Sequence, residues 1–382
     1  MTRPDEILNT LEQAGFAAFY VGGCVRDTLL GRPIHDWDIT TAARPEQTMA
    51  LFPRCVPTGL NHGTVTVLLN GEGYEVTTFR QDGAYRDGRH PEEVRFVPEL
   101  KDDLARRDFT VNAMAMRKSG EIIDLFGGKE DLRRRLIRCV GAPDRRFQED
   151  ALRMLRAWRF SAQLGFSIEE DTARAIRENA SRCRSLSRER ICAETEKTLL
   201  SPRPELLGQL IRLGLLAACG LEGEYDLSAL RDTPDGSDVR WTKLQLLLPA
   251  LDLRQFRLPA KKQQRIEAAA AAYQAHYTRA ELKKLLAEHG EDAAFICAKL
   301  SGQEALLKNI LQSGECFSLR TLSVSGRDFP SLPGKAVGAL LRALLAHVLS
   351  CPEDNDRQTL LHLAEVYWKS SDLNRQNDVA DV

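Results

Sequence analysis

No apolar run in this 382-residue chain approaches the roughly 18 residues that a membrane-spanning helix requires, which excludes a helical membrane protein. It contains no Cys-x-x-Cys pair either. Its nine cysteines are odd in number and scattered, which argues against a disulfide framework or a zinc site and for reduced thiols in a cytoplasm. The opening stretch MTRPDEILNT is too acidic and polar for a signal peptide. Internal repeats and low-complexity segments are absent, and the length predicts two to four folded units with material for buried cores. A strong positive charge is missing too, since 53 Lys and Arg meet 54 Asp and Glu for a net charge of −1. The distribution is less neutral. Between Lys101 and Phe160 stand 15 basic and 10 acidic residues, an excess of five, so the remainder sums to −6. A basic zone on an otherwise acidic chain fits phosphate binding confined to one face, with part of the zone also serving as a solvated, ion-paired helix surface.

What the chain does contain is concentrated in Tyr20 to Thr41, YVGGCVRDTLLGRPIHDWDITT. This stretch predicts a strand end, a Gly-Gly turn, a short helix carrying Arg26 and Asp27, a loop, and a strand holding Asp36 and Asp38. Side chains alternate along a strand, so these two carboxylates face one side about 6 to 7 Å apart. That spacing suits a pair of divalent ions about 4 Å apart, the arrangement that activates an attacking hydroxyl and stabilises a leaving oxygen in phosphoryl displacement. The glycine turn brings backbone close to phosphate and opens onto helix N–H groups that favour anions. Each part also has a plainer reading, because Asp-x-Asp is common on exposed strand edges. Cys24 reads as a small buried thiol in the turn, with a nucleophile as the alternative.

Together and in this order, these features resemble the signature of the class II branch of the polymerase-beta-like nucleotidyltransferases. That branch holds the CCA-adding tRNA nucleotidyltransferases and the bacterial poly(A) polymerases. The resemblance implies that Asp36 and Asp38 hold two Mg²⁺ ions and that Gly23 and Arg26 help position a nucleoside triphosphate. Downstream, GTVTVLL (63–69) and YEVTTF (74–79) flank Asn70-Gly71-Glu72-Gly73, and Asn-Gly between β-branched runs signals a hairpin. Glu75 on its second strand is a candidate third catalytic carboxylate by analogy with the superfamily, with an ordinary surface glutamate as the alternative. Residues 80–94, RQDGAYRDGRHPEEV, have no period and read as a mobile loop. The resemblance implies that an intact loop here favours full CCA synthesis over addition of CC alone. LARRDFTVNAMAM (104–116) is a second family signature. Arg107 is suited to the triphosphate because guanidinium offers phosphate a planar fork. Asp108 and Asn112 are candidates for the ribose 2′-OH, while Asp108 paired with Arg106 or capping a helix is the structural alternative.

FQEDALRMLRAWRF (147–160) predicts one helix with Asp150, Arg153, Arg156 and Arg159 on one half and Ala151, Leu152, Met154, Leu155 and Trp158 on the other. As i, i+3 neighbours, Asp150 and Arg153 would present their heads side by side. Cytosine and adenine both offer an exocyclic amino donor beside a ring-nitrogen acceptor, so a carboxylate beside a guanidinium complements them and opposes guanine and uracil. Glu149 to Arg153 matches the family's EDxxR motif with this role, and Arg156 and Arg159 match positions that contact the nucleotide. The only His-Asp pair is His35-Asp36, so an attached HD phosphohydrolase domain is not expected.

The expected fold class is α+β: a polymerase-beta-like nucleotidyltransferase head (1–140) with a mixed sheet and flanking helices, then all-α neck (141–200), body (201–272) and tail (273–382). The implied activity is template-independent addition of CCA to tRNA from CTP and ATP, by attack of the tRNA 3′-OH on the α-phosphate with release of pyrophosphate. The implied partner is the acceptor stem and 3′ end of tRNA, in the cytoplasm and away from membranes, with a homodimer left open. CC-adding, A-adding and poly(A)-polymerase activities of the same family remain alternatives, as does an inactive tRNA-binding module.

Overall fold

A computed structural model of the chain describes residues 3–83 and 94–370. They form two compact units, one of residues up to 231 with 255–257, the other of 232–254 with 258 onward.

The first unit begins with α1 (Asp5–Gln13), whose Ile7, Leu8 and Leu11 are buried at helical spacing. Then come β1 (Ala18–Val21), α2 (Gly23–Leu29), β2 (Ile39–Thr41), α3 (Pro45–Leu51), β3 (Cys55–Gly59), β4 (Thr64–Leu69) and β5 (Glu72–Thr78). They are followed by β6 (Arg80–Asp82), β7 (Val94–Phe96), α4 (Leu100–Ala105), β8 (Met114–Met116), β9 (Ile122–Asp124) and α5 (Gly128–Arg134). Seven strands make the mixed sheet that was expected, in the order β3-β4-β5-β2-β1-β8-β9, with β2 parallel to β5 and the other neighbours antiparallel. The β4–β5 hairpin forms on Asn70 and Gly71 at φ 53° and 83°, the double positive φ that lets a two-residue turn follow strand twist. Leu69 pairs with Glu72, so the loop is two residues and not the four of 70–73. The segment read as a loop over 80–94 enters and leaves through an antiparallel ribbon, Arg80 opposite Phe96, and its residues 84–93 lie outside the described ones.

The rest of this unit is mainly helical: β10 (Leu136–Ile137), α6 (Pro143–Glu149), α7 (Leu152–Leu164), β11 (Ser167–Ile168), α8 (Glu170–Asn179), α9 (Arg188–Leu199) and α10 (Leu207–Arg212). The single helix expected over 147–160 is corrected here. It breaks at Asp150, whose backbone is extended at φ −147° and ψ 105°. The cause is local: Asp150 Oδ1 accepts from Leu152 N–H at 3.0 Å, giving the backbone a partner outside the helical ladder.

The second unit is all helical among its described residues, with α11 (Ser237–Leu247), α12 (Ala260–Ala272), α13 (Arg279–Leu300), α14 (Glu304–Gln312), α15 (Gly334–Ser350) and α16 (Arg357–Ser370). α13 breaks at Gly290, φ 81° and ψ 175°. Lys283 is buried in this unit, and its Nζ lies 3.2 Å from Glu315 Oε2. Glu315→Gln strands that ammonium against a neutral amide and is expected to destabilise the unit by about 2 kcal/mol in urea unfolding. The hydrogen bond from Arg279, followed by that from Lys283, outweighs burial and holds the Glu315 carboxyl down to about 2. Its contribution is therefore full above the ordinary glutamate range and disappears as pH falls through about 2.

Candidate active site

Trp37 fixes which way the two aspartates face. Its ring is buried and packs on Tyr20 with centroids 4.8 Å apart, so Asp36 and Asp38, one residue to either side, turn toward the opposite face. Asp36 is exposed and Asp38 half-buried. Neither belongs to the strand itself, which starts at Ile39. They stand on its extended lead-in, tied to the sheet where Asp38 C=O accepts from Val21 N–H at 3.0 Å. Glu75 joins them through strand register. Ile39 pairs with Val76 in the parallel β2–β5 ladder, so Asp38 and Glu75 each stand one residue earlier, opposite in face to the buried Ile39 and Val76.

Burial raises the Asp38 carboxyl, Arg107 pulls it down, and Glu75 and Asp36 raise it again, to about 6. Mutual repulsion among hard oxygen donors is what a divalent cation relieves, so the donor set fits Mg²⁺. The three carboxylates do not close to 4.8 Å of one another. Among the described residues, His347, Cys351 and Asp354 of the second unit are the grouping that does, and its imidazole is occupied: Nε2 by Asp354 at 2.6 Å and Nδ1 by Tyr367 at 3.3 Å.

Gly22, between β1 and α2, has φ 81° and ψ −130°. A Cβ there would stand 3.0 Å from Arg107 Nη1 and 3.8 Å from Asp38 Oδ2, so the absent side chain is what admits the guanidinium beside the carboxylate. Gly22→Ala is expected to cost about 1 to 3 kcal/mol of stability from backbone strain and to displace Arg107; with Arg107 on the triphosphate, as the sequence resemblance implies, the KM for nucleotide should rise at least tenfold. Initial-rate kinetics with thermal unfolding check both parts. Gly23 opens α2 with its own Cβ position 3.6 Å from Arg26 Nη2. Arg26 is clamped by Asp27 at 3.0 and 2.7 Å, donates to Asn112 Oδ1 at 2.7 Å and lies 5.3 Å over the Phe160 ring. Burial pushes the Cys24 thiol up to about 11, the state of a structural thiol rather than a nucleophile.

Asp108 takes neither of the structural partners foreseen for it. It accepts from Arg156 at 2.7 and 2.6 Å and from Asn112 Nδ2 at 3.3 Å, while Arg106 turns to Asp103. Burial alone would raise the Asp108 carboxyl, but the Arg156 charge and hydrogen bonds hold it down to about 2. Arg159 is buried, with Nε 2.5 Å from Glu194 and Nη1 2.8 Å from Gln163. The side-by-side heads expected of Asp150 and Arg153 are not formed. Asp150 Oδ2 accepts from Arg190 at 2.8 Å, whereas Arg153 donates to Glu149 at 2.7 Å and to the carbonyls of Arg146 and Arg106 at 3.1 and 2.9 Å. The helix break at Asp150 is the reason, because i, i+3 adjacency holds only inside a helix.

Phe160, Glu194, Arg190 and Asp103 were not singled out from sequence. The Phe160 ring carries Arg26, Arg156 and Arg159 at 5.3, 5.3 and 3.8 Å. Glu194 had a legible signal, since it follows Ile191 by three and precedes Thr198 by four on the buried face of α9, where a charge demands a partner.

A mixed sheet presenting acidic residues opposite a glycine turn and a basic helical surface defines a nucleotidyltransferase. Residues 18–138 match the model of the poly A polymerase head domain, and residues 165–219 match one described as "Probable RNA and SrmB- binding site of polymerase A". The chain belongs to the CCA-adding enzyme family. It is 40% identical over 387 residues to the CCA-adding enzyme of Limosilactobacillus reuteri, covering 95% of this chain and 96% of that one. It is 49% identical over 253 residues to that of Lactobacillus delbrueckii, a match spanning 64% of the relative's length. Its structure is similar to that of the Bacillus stearothermophilus CCA-adding enzyme in complex with CTP, with TM-score 0.85, 36% identity, and 97% of this chain and all of that one covered. The Thermotoga maritima enzyme complexed with tRNA shares the fold, at TM-score 0.61, 19% identity and 96% coverage of both chains.

Proposed function

We propose that this protein adds C, C and A in turn to the 3′ end of tRNA, using CTP and ATP and releasing pyrophosphate. The observation that carries this reading is the carboxylate group of Asp36, Asp38 and Glu75 beside a glycine turn that admits Arg107. Asp36 and Asp38 would hold two Mg²⁺ ions, which supply charge stabilisation to the attacking and leaving oxygens when bound. Glu75 stands ready to orient the tRNA 3′-OH. Arg107, with Arg26 and the Gly23 backbone, holds the triphosphate, and Asn112, tied to Arg26 and Asp108, is near enough in that network to meet the ribose.

Asp150 and Arg153 choose the base after exchanging Arg190 and Glu149 for its Watson–Crick edge. Arg156 and Arg159, stacked on Phe160 and paired with Asp108 and Glu194, set the floor against which the nucleotide lies. The head model ending at residue 138 supports a boundary near 140, followed by neck to 200, body to 272 and tail beyond, with the helical part gripping the acceptor stem. Nine free thiols fit a reducing cytoplasm, and no described helix is long and apolar enough to cross a membrane.

Incubation with tRNA lacking its CCA end, CTP, ATP and Mg²⁺ is expected to restore all three nucleotides. CTP alone should stop at CC. Absence of any extension by folded protein overturns the assignment.

A further inference from the structure

Asp103, in α4, is fully buried and carries more donors than any other head carboxylate considered above. Oδ1 accepts from Arg106 Nε and Nη2 at 3.0 and 2.8 Å and from the Arg80 backbone N–H at 3.4 Å. Oδ2 accepts from Arg107 Nη2 at 3.3 Å and Thr40 Oγ1 at 3.2 Å. These donors come from separate parts of the head. Thr40 lies two residues after Asp38 in β2, Arg80 is the first residue of the ribbon that begins the 80–94 segment, and Arg107 is the guanidinium that reaches the Gly22 turn. Arg106, in turn, offers its carbonyl to Arg153 Nη2 at 2.9 Å.

The contact with Arg107 leaves that guanidinium oriented but not used up. Its Nε–H is buried without a protein partner, and its Nη1 is the atom 3.0 Å from the Cβ that Gly22 lacks. A buried donor left open is costly unless something fills it. A polyphosphate oxygen at the Gly22 turn would supply the acceptor, and a carboxylate behind the guanidinium fixes its plane before any nucleotide arrives.

We propose that Asp103 is a positioning residue for nucleotide binding: it presets the Arg107 guanidinium for the triphosphate and locks that geometry to β2, the strand that Asp38 leads into, and to the root of the 80–94 segment. The inference rests on the triphosphate reading of Arg107 given above. It predicts a defect confined to the phosphate end of the substrate, because Asp103 is not itself placed against the base or the ribose.

The test is a binding cycle on the full chain, using CTP and cytidine monophosphate as probes and Asp103→Asn, Arg107→Ala and the double variant. Asp103→Asn is expected to weaken CTP at least tenfold while changing the monophosphate less than twofold. In the Arg107→Ala background the same substitution should add less than a further twofold to the loss of CTP. The KM for both CTP and ATP should rise with kcat changed by less than threefold, and Asp103→Glu should recover part of the loss.

If Arg107→Ala binds CTP as wild type does, the triphosphate reading of Arg107 fails. If Arg107→Ala loses CTP but Asp103→Asn keeps it, or weakens both probes alike, only the positioning role is overturned. Should Asp103→Asn not fold, Thr40→Val removes one donor and leaves both charge pairs. Its expected result is a two- to fivefold weakening of CTP with the monophosphate unchanged, and an unchanged CTP affinity overturns the proposal.

Discussion

Asp38→Asn is expected to lower the rate of nucleotide addition about 10³-fold or more while making the metal-free protein more stable at neutral pH. The two effects share one cause. On the proposed reading Asp38 holds the catalytic ions, so its loss would remove several kcal/mol of transition-state charge stabilisation, and each 1.36 kcal/mol is tenfold in rate. The same carboxylate is a burden on the fold without metal, because burial, opposed by Arg107 and reinforced by Glu75 and Asp36, raises it from 3.8 to about 6.

The sign follows from linkage. An acid whose folded pKa lies above its unfolded value binds its proton more tightly when folded. Its cost to the fold is therefore absent below about 3.8 and complete above about 6. In chelator, wild-type protein should gain about 1 to 2 kcal/mol as pH falls from 8 to 4, a range that allows for the partial exposure of Asp38. The asparagine variant should show no such gain from this residue and should exceed wild type at pH 8. Urea unfolding at several pH values reads the difference, and single-turnover addition on tRNA reads the rate. A variant that adds nucleotides within tenfold of wild type would remove Asp38 from the metal site. At limiting Mg²⁺, wild-type activity should also decline as pH drops through about 6, because protons then compete with the metal for the same oxygens, and added Mg²⁺ should move the decline to lower pH.

Asp150→Ala is expected to cut the preference for CTP over UTP by about 10- to 100-fold, since each mismatched or missing base contact is worth about 1 to 3 kcal/mol. A carboxylate only accepts, so it favours the exocyclic amino groups of cytosine and adenine over the carbonyls of uracil and guanine. The Asp150 side chain has two protein partners in this structure, Arg190 at 2.8 Å and Leu152 N–H at 3.0 Å, and exchanging Arg190 for a base replaces one charge-assisted hydrogen bond with another. Arg153 is a poorer first choice for mutation. It is buried and braces the joint between α6 and α7 through Glu149 and the carbonyls of Arg146 and Arg106, so removing it mixes selectivity with stability. Incorporation of each of the four NTPs on tRNA ending before CCA or after CC measures the ratio. A variant that still rejects UTP as wild type does would place base selection elsewhere.

What could be read from residue order alone was chemistry carried by near neighbours. HDWDI placed two carboxylates on one side of an extended segment because alternation is a property of any extended backbone, even though β2 begins only at Ile39. Asn70-Gly71 marked its hairpin because positive φ is a property of those residues.

Tertiary structure decided the partner that each charge takes. Asp108 meets Arg156 across 48 positions and Asp150 meets Arg190 across 40, neither of which local spacing encodes, whereas the pairs of Asp103 with Arg106 and Arg107 stand at i, i+3 and i, i+4. The short strands β8 and β9 were equally hidden, since three residues are too few to show a period. Periodicity records which way a side chain points. Ion pairing depends on which segments the folded core brings together, and a buried guanidinium must be matched by whatever carboxylate arrives there.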